Sequence, residues 1–478
     1  MASKSIEAEP HAAETVGLVR RLGGWAAGAI VVGTMVGTGI FLKPSEMAAE
    51  GGSIAVVFAA WIVGGLLSLF GALSYAELGA AIPEAGGDYA YLRRAFGPAW
   101  GFLFGWMHSI VGRPASAAAI AAGLLRFSSF FVPALASPLF IVHFRLPFLA
   151  ETSHFAFTWS QPLAVVALVA ITFVNYLGVK LGGEVQVALT FIKIAAVAMV
   201  IFAGFSLAHG SGANFHPLWP AHSGWNVFSG FLAALAAALW AYDGWEDLNL
   251  VGSEVSDPAR NMPRALIAGV AFVALLYVLF TAACFYALPF GDVAKSEHVA
   301  SDVFASVAGR GAALWITLAM AISALGTMNS SILSGARVDY AMARDRIFFR
   351  YAASIHPKYR TPGNALIFQC CLASVMALTG TFEDLTSLFI FATWIFYGLG
   401  VLSLFRLRRI EPDLPRPYRA WGYPILPALF IAGAIALTAS LWIARPVRST
   451  VGLALILFGL VFYRYWSAKI DRTSAPVR

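Results

Sequence analysis

The chain reads as an all-α membrane protein of about twelve transmembrane helices. Three observations predict this class. Apolar runs of spanning length, about 20 residues, recur along the whole 478-residue sequence. The composition is 59% hydrophobic and only 12% charged, where a soluble domain carries about 25% charged residues. The few basic residues fall mostly in alternate short loops, which is the pattern that sets membrane topology.

The apolar runs lie near 24–43, 54–82, 98–127, 162–178, 184–207, 227–253, 264–288, 311–335, 364–380, 385–405, 424–443 and 449–466. Arg20, Arg21, Arg93, Arg94, Arg260, Arg264, Arg344, Arg406 and Arg408 fall on one side of these runs. The other side receives few cations: Lys43, Arg145, Lys295, Arg310, Arg445 and Arg448. Both termini are therefore expected in the cytoplasm. The first 20 or so residues are polar and mixed in charge, unlike a cleaved signal peptide.

Several function classes are excluded at this stage. The net charge of +7 belongs to topology, and no nucleic-acid partner is expected. Cys284, Cys370 and Cys371 lie inside apolar runs, so buried thiols and no disulfide framework are expected. His209, His216 and His222 share one loop without zinc-site spacing. HExxH, GxSxG and phosphate-binding glycine loops are all missing from the sequence. No metal, no cofactor and no enzymatic activity are expected.

The first span contains Gly33-Thr34-Met35-Val36-Gly37-Thr38-Gly39-Ile40-Phe41. Gly33 and Gly37 suit close helix packing. Alternatively the helix unwinds at Gly37, Thr38 and Gly39 and leaves backbone N–H groups free to bind an anion such as a carboxylate.

The sixth span supports the break. Leu239-Trp240-Ala241-Tyr242-Asp243-Gly244-Trp245 places an acid, a glycine and three large aromatics at its centre. In an unbroken helix Asp243 and Asp247 would stack as like charges, four residues apart. A break at Gly244 separates them. Glu246 and Asp247 then start a second half-helix, where acids are favourable. Carbonyls before the break, at Trp240 and Ala241, become available to an ammonium. Broken spans in first and sixth position are what two five-helix repeats require.

Lys193 lies about ten residues into the fifth span, roughly 15 Å along its axis. An ammonium there must find carbonyls or an acid. It either forms a structural charge pair or takes the place of an alkali cation bridging the helices. Arg113-Pro114 in the third span reads as a structural ion pair or carbonyl clamp beside a proline kink. Gly326 to Ser331 in the eighth span is small and polar, suited to a cavity wall. Thr393 to Tyr397 adds a hydroxyl-bearing and aromatic stretch in the tenth.

These motifs resemble the amino acid–polyamine–organocation (APC) superfamily, in its L-type amino acid transporter branch. The resemblance rests on Val36 to Phe41, Arg113-Pro114, Trp240 to Trp245 with Leu248-Asn249, and Glu254-x-x-x-Pro258-x-Arg260-Asn261-x-Pro263. Arg360-Thr361-Pro362 and Asp413 to Arg419 add to it. It implies a LeuT-type fold of 5+5 inverted repeats with helices 1 and 6 broken. The expected layout is a cytoplasmic segment at 1–22, repeats at 23–207 and 208–406, helices 11 and 12 at 407–466, and a cytoplasmic tail at 467–478.

The resemblance further implies a sodium-independent amino acid exchanger working by alternating access. The backbone at Gly37, Thr38 and Gly39 would meet the substrate carboxylate, and carbonyls around Trp240, Ala241 and Asp243 its amino group, with Trp240 as an aromatic gate. Val36, Ile40, Gly244 and Trp245 would belong to the same substrate site, with Ser331 and Thr393 completing the pocket. Lys193 matches a lysine that stands in for sodium. Two departures matter. Phe127 to Gln161 contains no cysteine, so a stand-alone carrier of a bacterial inner membrane is expected, without a disulfide-linked heavy chain. Asp243 stands where many neutral-selective members have glycine. It resembles the member that exchanges cationic as well as neutral amino acids, or it pairs internally, for example with Lys193. A proton-coupled symporter is the alternative within transport, and a channel or transport-derived sensor outside it.

Overall fold

The computed structural model describes residues 20, 22–144, 153–208, 210–220, 224–380, 382–444 and 446–474. Most of the N-terminal segment, the last four residues, Arg21, Arg145, His209, His222 and Arg445 lie outside them. Among the described residues, ten helices are long and apolar enough to cross a membrane.

The first span is broken. α1 (Gly24–Met35) ends at Val36 and α2 (Thr38–Gly51) begins after Gly37. Gly52, at a φ of 65°, stops α2 in the left-handed conformation that glycine adopts without strain. α3 (Ile54–Ala81) follows, then a short connecting helix, α4 (Asp88–Phe96).

The third span is α5 (Pro98–Met107), a wide π turn (His108–Gly112) and α6 (Arg113–Ser129). Pro114 has no N–H to donate into the preceding turn. The widened turn absorbs that loss and re-aims Arg113, as such bulges do at functional positions.

One element departs from the all-helical expectation. Between α6 and α7, β1 (Pro138–Phe144) and β2 (Ser153–Thr158) pair antiparallel, with Val142 opposite Phe155. The run Phe140-Ile141-Val142 is aromatic and β-branched but far too short to span, so it forms a hairpin. The rings of Phe140 and Phe157 stack across it at 4.9 Å.

α7 (Ser160–Tyr176) is a shorter apolar helix, and α8 (Val179–Phe202) continues into a second π turn at Ala203–Leu207. The sixth span is α9 (Trp225–Tyr242), then a break, then α10 (Asp247–Leu250). The second half-helix was expected to reach residue 253. It is instead a single turn followed by a 3₁₀ turn at Gly252–Glu254.

α11 (Pro258–Ala287) is a further span and α12 (Phe290–Lys295) a short linker. α13 (Val299–Arg344) kinks at Gly309, where φ is 76°, and its spanning part runs well past the expected end to Arg344. α14 (Gly363–Thr379), α15 (Phe382–Ile410), α16 (Ile425–Ala444) and α17 (Pro446–Ser474) complete the bundle. α17 carries helix into the stretch expected as a tail.

Two side-chain expectations are corrected here. Lys43 is not in a loop: it lies on α2, buried, and pairs with Glu46 at 2.5 Å. Of the three thiols only Cys284 is buried, while Cys370 is partly covered and Cys371 exposed. The last two are adjacent on α14, so the step of about 100° between neighbouring residues directs them to different faces.

Candidate functional site

The two breaks face each other. A Cβ at Gly39 would lie 2.7 Å from the Cα of Ala241, and one at Gly244 would lie 2.5 Å from Thr34 Cγ2. Only glycine permits so close an approach of two backbones. Gly244 also holds a φ of 103°, which L side chains rarely adopt.

Breaking a helix leaves polar groups without partners, and neighbouring spans supply them. The hydroxyl of Tyr277, on α11, lies 2.6 Å from the Met35 carbonyl and 2.9 Å from the Ala241 carbonyl. It shares one proton between the two breaks. The amide of Asp243 donates to the Trp240 carbonyl at 3.2 Å. The carbonyls of Trp240 and Ala241 are thus both engaged, and a carbonyl oxygen such as that of Ala241 has a second lone pair for a further donor.

Lys193 is fully buried on α8. Its Nζ donates to the Gly33 carbonyl at 2.6 Å and to Thr327 Oγ1 at 2.7 Å. Thr327 Oγ1 in turn lies 3.3 Å from the Val36 carbonyl. One ammonium therefore ties α8, the end of α1 and α13 together.

Asp243 does not pair with Lys193. Its Oδ1 accepts a hydrogen bond from the Tyr397 hydroxyl of α15 at 2.8 Å. The other two acids of the sixth span pair with Arg113, which is buried beside them. Arg113 grips both carboxylate oxygens of Asp247 and reaches Glu246 Oε1 at 3.2 Å and Ser331 Oγ at 3.4 Å. Ser334 adds a further bond to Asp247 at 2.8 Å. The buried ion pair expected of Arg113 is present, and it fixes the start of α10.

Between the breaks lies a cavity of about 30 Å³, the share of one water molecule. Gly37, Thr38, Gly39, Trp240, Ala241, Asp243 and Ser331 line it, together with Thr34, Met35, Arg113, Ser116, Ile120 and Thr327. Thr38, Gly39 and Ile40 begin α2, so their N–H groups have no acceptor within the helix.

Five of the expected residues stand back from this cavity. Val36 and Ile40 are fully buried in the surrounding core. Gly244 is pressed against Thr34. Beyond it the chain turns, and Trp245 packs on Tyr75 (ring centroids 5.0 Å apart), Tyr397 (5.5 Å) and Phe430 (6.3 Å). Thr393 is buried on α15, near the π turn at Gly112.

Trp240 also borders a second, larger space of about 590 Å³, walled by Lys43, Glu46, Glu50, Trp225 and Phe228 among others. Its ring meets Phe389 edge-on at 5.4 Å. Trp240 is the partition between the two spaces. Among the described residues no group of three or more metal-ligating side chains stands together.

Tyr277, Thr34 and Ser116 escaped the sequence reading. Tyr277 carried a faint signal, a lone hydroxyl in an apolar run. Thr34 and Ser116 carried none, because short polar side chains are common in spans and usually bond their own helix.

The opposed breaks, with a basic side chain on each flank, narrow the comparison to carriers built on broken helices. The sequence pattern of the amino acid permease family matches residues 22–463. The chain belongs to that family. This amino acid permease is 31% identical to the serine/threonine exchanger of Bacillus subtilis (strain 168), over 94% of its own length and 97% of the relative's. It is 32% identical to the b(0,+)-type amino acid transporter 1 of Mus musculus, over 98% and 93%. It is 33% identical to the human large neutral amino acids transporter small subunit 2, over 95% and 82%. The permease is a multi-pass membrane protein of the APC class, all-helical apart from its hairpin.

Proposed function

We propose that this permease is a sodium-independent exchanger of L-amino acids that works by alternating access. The observation that carries the reading is Lys193. Its ammonium occupies a nest of the Gly33 carbonyl and the Thr327 hydroxyl, next to the Val36 carbonyl. Those oxygens are hard acceptors of the kind an alkali cation takes. A fixed charge there removes the need for sodium.

The substrate carboxylate binds the free N–H groups at the start of α2, around Thr38 and Gly39. The α-amino group binds the backbone carbonyls around Trp240, Ala241 and Asp243. A cavity of about 30 Å³ is too small for any amino acid, so loading moves Trp240 and widens the gap between the breaks. Asp243, the acidic side chain lining the cavity, takes the cationic side chain of lysine-like or arginine-like substrates. That these relatives are named for serine/threonine, for b(0,+)-type and for large neutral transport supports a broad neutral range with cationic capacity.

The architecture we infer is twelve spans, α7 and α14 included, with repeats at 23–207 and 208–406 and helices 11 and 12 at 407–466. Both termini face the cytoplasm of a bacterial inner membrane. The carrier works without a disulfide-linked heavy chain, since 127–161 has no cysteine.

The test is counterflow into liposomes holding purified protein. Uptake of labelled alanine, leucine or arginine is expected only with unlabelled amino acid inside, and equally with and without sodium. Sodium-dependent uptake would overturn the reading. Uptake into empty vesicles under a pH gradient would replace exchange by proton symport.

A further inference from the structure

We propose that a basic and aromatic groove between the end of α13 and the end of α17 binds an anionic glycerophospholipid. The groove has a volume of about 520 Å³. Arg346, Arg350 and Lys469 line it, and none of its lining residues is acidic. The nearest acid in sequence, Asp345, is taken up by Arg93 and Tyr89.

The chain presents these cations deliberately. Arg346 holds a φ of 64°, a left-handed conformation uncommon for any residue but glycine. The turn is closed by the Arg346 amide donating to Ala343 and the Ile347 amide donating to Met342, each at 3.1 Å. It places Arg346 at the mouth of the groove immediately after α13 ends.

The wall below is a cluster of aromatic rings in tilted and edge-on contact. Trp466 meets Phe349 at 5.3 Å, Phe462 at 5.8 Å and Phe348 at 5.9 Å, ring centre to ring centre. The apolar spans Gly311–Arg344 and Pro446–Lys469 both end at this level. The groove therefore sits where hydrocarbon gives way to headgroups, which is where aromatic rings and cations concentrate. Val461 and Tyr465 remain 59% and 62% exposed along its apolar flank.

Cations above an apolar wall at the membrane boundary fit one chemistry, a phosphate carrying acyl chains. A soluble phosphate would satisfy the arginines and leave the wall bare. Basic pockets between spans on the cytoplasmic side bind anionic lipid headgroups for the same reason.

The test is native mass spectrometry of the full chain in micelles, titrated with phosphatidylglycerol, phosphatidylcholine or glycerol 3-phosphate. Phosphatidylglycerol is expected to bind at least about tenfold more tightly than phosphatidylcholine. R346Q/R350Q should weaken the first by about 25-fold, about fivefold per cation, and leave the second unchanged. R260Q/R264Q, which removes two exposed arginines from α11, should change neither. Undiminished phosphatidylglycerol binding by R346Q/R350Q overturns the proposal. So does an equal loss in R260Q/R264Q, or glycerol 3-phosphate displacing the lipid at equal concentration. If the double variant does not fold, R350Q alone is expected to show the fivefold loss, and no loss overturns the site.

Discussion

The ammonium of Lys193 replaces a backbone bond that α1 lacks: it sits 2.6 Å from the carbonyl of Gly33. In an unbroken helix that carbonyl would accept from the amide of Gly37, but α1 stops at Met35. Lys193→Met keeps most of the stem and removes the donor. It strands two buried acceptors, each costing about 1–3 kcal/mol. Counterflow should fall at least about tenfold while the protein still runs as a single folded species by size exclusion. Unchanged kinetics would remove Lys193 from the mechanism.

Asp243 shares its charge with the Tyr397 hydroxyl. Asp243→Asn should therefore weaken arginine and ornithine by about tenfold or more and leucine by less than about threefold, given about 1.5–3 kcal/mol for a hydrogen bond to a charged group. Tyr397→Phe should act in the opposite sense, releasing the carboxylate and tightening cationic substrates relative to neutral ones. Competition binding on the two variants reads both effects. Equal losses for both substrate types would give Asp243 a structural role only.

Among the described residues, Arg113 is the cation that pairs with Glu246 and Asp247. Removing one member of a buried ion pair costs about 3–5 kcal/mol, because the partner's charge stays buried. Arg113→Gln is expected to lower the thermal midpoint by several degrees and to abolish transport. Arg113→Lys should recover only part of the stability, since a lysine cannot grip both oxygens of Asp247. A midpoint equal to that of the parent protein would contradict the buried pair.

Gly39→Ala tests the approach of the two breaks. Its methyl group would meet backbone, the Cα of Ala241 at 2.7 Å, and backbone cannot rotate aside. Transport should be lost. Gly28→Ala is the matched control, as nothing lies within 4 Å of a Cβ there; it should be neutral or gain up to about 1 kcal/mol from helix propensity. Loss of function in both variants would point to general fragility of the first span, α1 and α2 together.

Much of this was legible in the chain. Spans show as runs of apolar residues, and a broken span shows as glycine beside an acid, so α1, α2, α9 and the turn at Asp243 could be read directly. Arg113 was legible as a pair because a charge at that depth must find a partner. Its identity was not, since Glu246 and Asp247 lie over 130 positions away. A separation of 154 positions hid the Tyr397 contact of Asp243, and separations of 242 and 36 positions hid the two arms of the Tyr277 bridge. The direction of Trp245 was not legible, because it depends on the φ of Gly244, 103°, which no neighbouring residue announces. The hairpin at β1 was missed because a seven-residue β-prone run is too brief to stand out between the long apolar spans on either side.

Leu22 pairs with the residues that follow the sixth span: its amide donates to Glu254 O and its carbonyl accepts from Ser256 N, both at 2.9 Å. Arg337 of α13 clamps the same Glu254 through its carboxylate at 2.9 Å. The foot of α1 and the short strap after α10 are thus stitched into one lever, pinned to a third helix by a single charge. Any swing that uncovers the cavity on that side must either carry both pieces together or unpick two rungs of backbone first. The latch on that side is a property of the chain's own main-chain bonds, and side-chain substitutions alone leave those two rungs in place.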